Sequence, residues 1–280
     1  MRRKLASLSQ TVAGLSLILL ALATPIGAQS APLRIGVAPH TSARVILELY
    51  QPLRSHLEKA LGMPVEVLTA PDFTEFAKRG LAQEYDLAIT TGHQARLLQT
   101  DGGYIPLLTY KADFKALAIV AAKGGIKQPK DLKGTTTIGL SASSLVTLWG
   151  QHWLKSLRLG EIPVRYVSAA DSVAQLLLAG EGSAGFVSMA NLQKLPPEVR
   201  GGLRILAESP AMAGRVYVLN RRRTAIQGKL DAALWGFADS AEGRAYFEAN
   251  KLEGYRKLRP RELQAMDPYA AEVRENLRAK

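Results

Sequence analysis

The side chains best suited to chemistry in this 280-residue chain are the serines of Gly139-Leu140-Ser141-Ala142-Ser143 and the histidines His40, His56, His93 and His152. The serine segment lies between a β-rich run and an amphipathic helical stretch, where the nucleophile elbow of an exported hydrolase would stand. That elbow ends in a second glycine, which is absent here, and it needs a histidine base far downstream of the serine. The only later histidine is His152, about eleven residues beyond Ser141 and inside the adjoining predicted helix. A serine hydrolase using Ser141 is therefore a rival reading, one that a covalent serine-reactive probe would detect. The histidines show no His-x-x-x-His pair and no accompanying carboxylate cluster, so their spacing implies neither a zinc site nor any other cofactor. His56 falls on the polar side of the first predicted helix, as a surface residue does.

Two further patterns need weighing. Gly180-Glu181-Gly182-Ser183-Ala184-Gly185 matches the dinucleotide fingerprint by letter, but a helix precedes it and a strand follows. The fingerprint requires the reverse order, so that helix amides meet a phosphate. Glycines ending a helix are the simpler reading. At Ser141–Ser144 the start of a predicted helix places hydroxyls beside unpartnered amides, which suits an anion or polar ligand. It equally suits plain N-capping, and spacing leaves both readings open.

The elements that must position these residues form a repeated exchange of strands and helices. Runs 33–38, 65–70 and 85–90 read as buried strands, and 43–61 and 73–82 between them as amphipathic helices. A second series follows, with strands at 116–122, 136–140, 164–167 and 184–188 and helices at 143–157 and 172–179. Strands at 203–207 and 216–219 and a largely helical tail from about Thr224 complete the chain. This alternation predicts an α/β fold with mostly parallel sheets. Three blocks predict a chain that builds lobe one over 32–110, lobe two over 111–208, and returns to lobe one over 209–280. The crossings near 110–115 and 208–214 are short, as a two-strand hinge would be.

Met1-Arg2-Arg3-Lys4, an apolar run over about 12–23, Pro25, and small residues at Ala28 and Ser30 have the grammar of a secretory signal peptide over 1–28. The apolar run is shorter than the roughly 20 residues of a membrane span, so cleavage and release to the periplasm, without stable membrane insertion, are expected. The chain has no cysteine, which excludes disulfides, thiolate nucleophiles and a lipid-anchored cysteine. With 47% hydrophobic residues it can bury a sizeable core. The net charge of +12 favours anionic partners. Only Arg221-Arg222-Arg223 forms a basic run and aromatics are 6%, which argues against a nucleic-acid partner.

The order of motifs along the chain resembles the substrate-binding proteins of phosphate, phosphite and phosphonate ABC transporters. The resemblance runs through Leu33-Arg34-Ile35-Gly36-Val37, Tyr50-Gln51-Pro52-Leu53, Val65-Glu66-Val67 with Asp72-Phe73, and Tyr85-Asp86-Leu87-Ala88. It continues through Gln128-Pro129-Lys130-Asp131-Leu132-Lys133-Gly134 and Leu177-Leu178-Ala179-Gly180-Glu181. It implies a type II periplasmic binding fold, in which two α/β lobes close over a small-molecule ligand. The ligand loops of such proteins map onto Phe73, onto Thr90, Thr91 and His93, onto Ser143 and Ser144, and onto Asp171.

Three departures from that pattern bear on the ligand. Phe73 stands where an aromatic hydroxyl is usual, Ala142-Ser143-Ser144-Leu145 replaces Ser-Thr-Ser-Gly, and Asp171 replaces a histidine. A carboxylate there favours a ligand carrying an amine or hydroxyl donor over a simple dianion. The resulting expectation is a monomeric, non-enzymatic periplasmic protein that captures an anionic or zwitterionic solute for an ABC permease. A membrane sensor kinase as partner is the same-fold rival.

Overall fold

The structure, a computed structural model, describes residues 31–278. The expected leader and its cleavage site lie outside the described residues.

The strands are β1 (Leu33–Val37), β2 (Val65–Leu68), β3 (Leu87–Thr91), β4 (Tyr104–Tyr110), β5 (Ala116–Ala121), β6 (Thr137–Gly139), β7 (Val164–Tyr166), β8 (Ala184–Ser188), β9 (Leu203–Glu208), β10 (Arg215–Asn220) and β11 (Tyr255–Arg256). The helices are α1 (Ala43–Leu61), α2 (Phe73–Leu81), α3 (Gly92–Asp101), α4 (Leu145–Ser156), α5 (Ala170–Leu178), α6 (Met189–Lys194), α7 (Pro197–Gly201), α8 (Gln227–Asp239), α9 (Ala241–Asn250) and α10 (Asp267–Arg278). One sheet has the order β11-β4-β10-β3-β1-β2 and the other β7-β6-β8-β5-β9. Each is parallel where strand–helix units follow one another, in β2-β1-β3 and β7-β6-β8. Each is antiparallel where the chain arrives from the other sheet, at β10 against β3 and β4 and at β5 against β8 and β9. Arrival from the opposite end reverses the strand direction, so the two crossings impose this mixed character.

The crossings, 111–115 and 209–214, are hydrogen-bonded to each other. Phe114 and Met212 form an antiparallel bridge, and the Ser209 hydroxyl accepts from the Ala116 amide at 2.9 Å. Two short segments held side by side by such a bridge can bend together.

Burial holds each layer. In α1 the residues Ile46, Tyr50, Leu53, Leu57 and Leu61 recur at three- and four-residue spacing and are buried against the first sheet with Leu230, Leu234 and Phe237 of α8. Ser42 begins that helix and Gly62, at φ 68°, ends it in the left-handed conformation that glycine adopts without penalty. A second apolar cluster runs from Phe76, Tyr85 and Leu98 beside the first sheet to Trp149, Leu154 and Phe186 beside the second. The C-terminal α10 packs on α2, α3 and α4 together, so it touches helices of both sheets. His152 of α4 hydrogen-bonds through Nε2 to the Glu272 carboxylate of α10 and stacks on Tyr269 at 4.9 Å. His56 is not a surface residue: it is half-buried, its Nε2 meets the Ala233 carbonyl at 3.0 Å, and its ring packs on Phe237. The polar side of α1 is covered there by α8, which its periodicity alone did not show.

The basic run has a structural use. Asp86 is 1% exposed and accepts from Arg222 Nε and a terminal Arg222 nitrogen at 3.1 and 2.7 Å, from Arg223 at 3.0 Å and from the Arg34 amide at 3.0 Å. Arg222 and Arg223 thus neutralise a buried carboxylate.

Candidate functional site

The parallel strands of both sheets feed their helices from their C-terminal ends, so the loops after β1, β2 and β3 and those after β6, β7 and β8 are where a ligand is met in folds of this kind. Asp72 caps α2, its carboxylate accepting from the Glu75 amide at 2.8 Å, and this cap fixes Phe73 and Thr74 in the first turn. From the adjoining strand, the Thr90 hydroxyl donates to Gln94 Oε1 at 3.0 Å, and the Gln94 amide donates to the Phe73 carbonyl at 2.8 Å. The two loops are thereby tied.

Across from them, Ser143 precedes α4. Its hydroxyl meets that of Thr74 at 3.0 Å, and its carbonyl lies 3.0 Å from His93 Nε2. A carbonyl only accepts, so Nε2 carries the proton, and Nδ1 accepts from the Thr91 hydroxyl at 3.1 Å. Burial pushes the His93 pKa down to about 4 against the opposing effect of the Ser143 carbonyl, so the imidazole is neutral at physiological pH.

The structure therefore brings Phe73, Thr90, Thr91, His93 and Ser143 into one connected seam. Thr90, His93, Ser143 and Ser144 are buried, and Phe73 and Thr91 half-buried. Ser144 is the residue before α4, yet its side chain makes no capping hydrogen bond. Capping by hydroxyl is thus not what either serine does here. Asp171 sits apart, exposed in the first turn of α5, with no ion pair or side-chain hydrogen bond among the described residues. The Ser141 hydroxyl is buried without a hydrogen-bond partner, so no imidazole stands within reach of it as a base. Among the described residues no three His, Asp or Glu side chains are grouped to hold a metal.

Sequence reasoning missed Thr74 and Gln94. Gln94 was accessible in principle, since it lies four residues beyond Thr90, but the helix that carries it was not recognised. Thr74 differs from any surface threonine only through a partner 69 residues away.

Gly92 holds the seam close to the return crossing. A β-carbon there would lie 2.6 Å from the Ala213 carbonyl oxygen and 2.7 Å from the Ala213 β-carbon. Gly92→Ala is expected to destabilise the protein by about 1–3 kcal/mol through overpacking, although alanine is the better helix former by about 1 kcal/mol. Urea denaturation of both proteins measures the difference, and an unchanged or raised midpoint would show that Ala213 yields freely.

Two mixed sheets whose helices start at a shared seam, joined by a pair of bonded crossings, make this a solute-binding protein of the type II periplasmic fold. The family described as the periplasmic substrate-binding protein of phosphonate ABC transporters matches over residues 35–263, and the chain belongs to that family. Members are substrate-binding transport proteins of the periplasm. No curated protein matches by sequence. Among solved structures, XAC2383 from Xanthomonas citri bound to ATP is 22% identical with a TM-score of 0.75, covering 88% of this chain and 99% of its own. PhnD1 from Prochlorococcus marinus (MIT 9301) in complex with methylphosphonate is 17% identical with a TM-score of 0.71, covering 86% and 98%. An ancestral arginine-binding protein bound to arginine, 17% identical with a TM-score of 0.57, covers 81% and 100%. These likenesses concern the fold.

Proposed function

We propose that this protein captures a small anionic or zwitterionic solute between two lobes, 32–110 with 209–280 and 111–208, and presents it as a monomer to an ABC permease without catalysing a reaction. The observation that carries this is the meeting of Thr74 and His93 with Ser143 across the two sheets, at the strand ends where such folds take their ligands. The paired crossings supply the bend for opening and closing. Phe73, Thr90, Thr91, His93, Ser143 and Ser144 form the wall that the solute meets, and Asp171, exposed at the start of α5, accepts from an amine or hydroxyl of the solute. The similar folds bound to ATP and to methylphosphonate support a ligand with a phosphoryl or phosphonate group.

Mass spectrometry of small molecules released on denaturing the protein purified from its native host tests this reading. A stoichiometric anionic or zwitterionic compound is the expected result, and the absence of any bound or transported solute would overturn it. For a zwitterion so identified, Asp171→Asn is expected to weaken binding about ten-fold, roughly 1.4 kcal/mol, while leaving a simple anion unaffected or improved. Titration calorimetry of both ligands reads the difference, and equal affinities in the two proteins would remove Asp171 from the site.

A further inference from the structure

The seam is electrically neutral: Thr74, Thr91 and Ser143 are uncharged and His93 holds no extra proton. Unneutralised positive charge gathers one ladder step away. Arg215 opens β10 opposite Thr91, where the return crossing enters the first sheet. Its partly buried guanidinium stands beside the Tyr50 phenol and near those of Tyr110 and Tyr246. Phenols offer dipoles but no countercharge at physiological pH. The Tyr110 hydroxyl is already engaged with Tyr217 at 2.8 Å and Tyr246 at 2.9 Å. Tyr50 is 1% exposed and its hydroxyl has no partner in hydrogen-bond geometry.

Two more basic side chains converge there. His40, in the turn after β1, stands edge-on to Tyr50 with ring centroids 6.5 Å apart. Its Nδ1–H donates to the Ala38 carbonyl at 2.8 Å, leaving Nε2 buried and unpartnered. Burial, then the charge of Arg215, holds this imidazole well below its ordinary pKa. Lys194 ends α6, on the second sheet's side. Its side chain is largely exposed, yet desolvation, then the positive charges of Arg215 and Lys251, pushes its ammonium down. Among the described residues no carboxylate lies within 4.0 Å of Arg215 or Lys194, and Glu208, at the end of β9, is taken by Lys115 at 2.5 Å.

Leaving the partly buried Arg215 without a countercharge is costly, and a second cation facing it opposes closure. We infer that Arg215, Lys194 and His40 form an anion site straddling the two lobes, which takes the phosphoryl or phosphonate group of the solute. The inference rests on the reading that the solute is held between the lobes. A guanidinium, an ammonium and an imidazole from three separate elements match an oxyanion with several acceptor atoms. The anion supplies the countercharge that lets His40 Nε2 carry a proton and donate, and it turns a repulsion between lobes into a bridge.

The test uses the whole mature protein, freed of ligand by unfolding and refolding, with inorganic phosphate, methylphosphonate and ATP as probes. At low ionic strength at least one probe is expected to raise the melting temperature of the wild type. Arg215→Gln and Lys194→Gln should each weaken that probe at least ten-fold by calorimetry. Without any anion, Lys194→Gln should melt higher than the wild type, because the facing charge is gone. That second readout stands even if Arg215→Gln fails to fold. Undiminished binding in Lys194→Gln, a lower melting temperature for that variant without anion, or no response of the wild type to all three probes would each overturn the site. The solute-binding reading would survive these results if the native protein still releases a stoichiometric small molecule, and would fall only if it releases none.

Discussion

Acidification from pH 6.5 to pH 4 is expected to remove about 3 kcal/mol of stability through His93 alone. The folded-state pKa of about 4 lies below the ordinary value of 6.5, chiefly because burial penalises the charged ring. The folded protein therefore binds fewer protons than the unfolded chain over this interval. Stability is fully present above the unfolded value and declines by about 1.4 kcal/mol for each pH unit as the pH falls toward the folded one. His40, depressed in the same direction by burial and Arg215, adds to the decline. Because the His93 proton is held by Ser143 from the other sheet, the loss should appear first as loosening of the two sheets from each other. Urea midpoints measured across this range should fall more steeply for the wild type than for His93→Gln, which keeps an amide donor but cannot titrate. Parallel curves for the two proteins would show that His93 is not the group responsible.

The second large effect is expected at Asp86. Burial alone would raise its pKa, but hydrogen bonds from Arg223, the Arg34 amide and Arg222 outweigh that and hold the carboxyl below its usual range. Asp86→Ala leaves two guanidinium groups and a backbone amide without their acceptor. Breaking a buried pair by removing one member costs about 3–5 kcal/mol, and the partly exposed arginines place this case near the lower end. Asp86→Asn should fall between the two, since it retains one acceptor oxygen. Asp86 stands just before β3, at the end opposite Thr90 and Thr91, so solute affinity should be unchanged in whatever fraction folds. Denaturant titration gives the stability. A loss below about 1 kcal/mol would mean that water takes over the role of the carboxylate.

Much of the fold could be read from one sequence because strand–helix alternation writes itself into local patterning. Buried strands such as β1, β3 and β8 are short apolar runs, and α1 shows its face at three- and four-residue spacing. Where local pattern and tertiary demand diverge, the reading stopped. Strand β4 was not recognised, since Pro106 reads as a break. It is tolerated because Pro106 faces Val218 where the β4–β10 register shifts. Helix α3 was missed because its buried set includes Gly92, His93 and Gln94, which carry no apolar signature. The two-residue β11 is held by pairing with β4 inside a tail that otherwise reads as helical.

For the site, the sequence by itself determined the chemistry on offer: hydroxyls before α4, a histidine after β3, a carboxylate at the start of α5, and no cysteine. Folding decided which of these meet. Ser143 finds Thr74 and His93 over separations of 69 and 50 residues, while Asp171 is left exposed and Ser141 without a base. It also decided that two residues of an arginine run neutralise Asp86, whereas isolated Arg215 and Lys194 meet no carboxylate within 4.0 Å among the described residues. Composition and spacing record how many charges a chain carries. Which charges are neutralised depends on partners brought together only when the sheets and their crossings assemble.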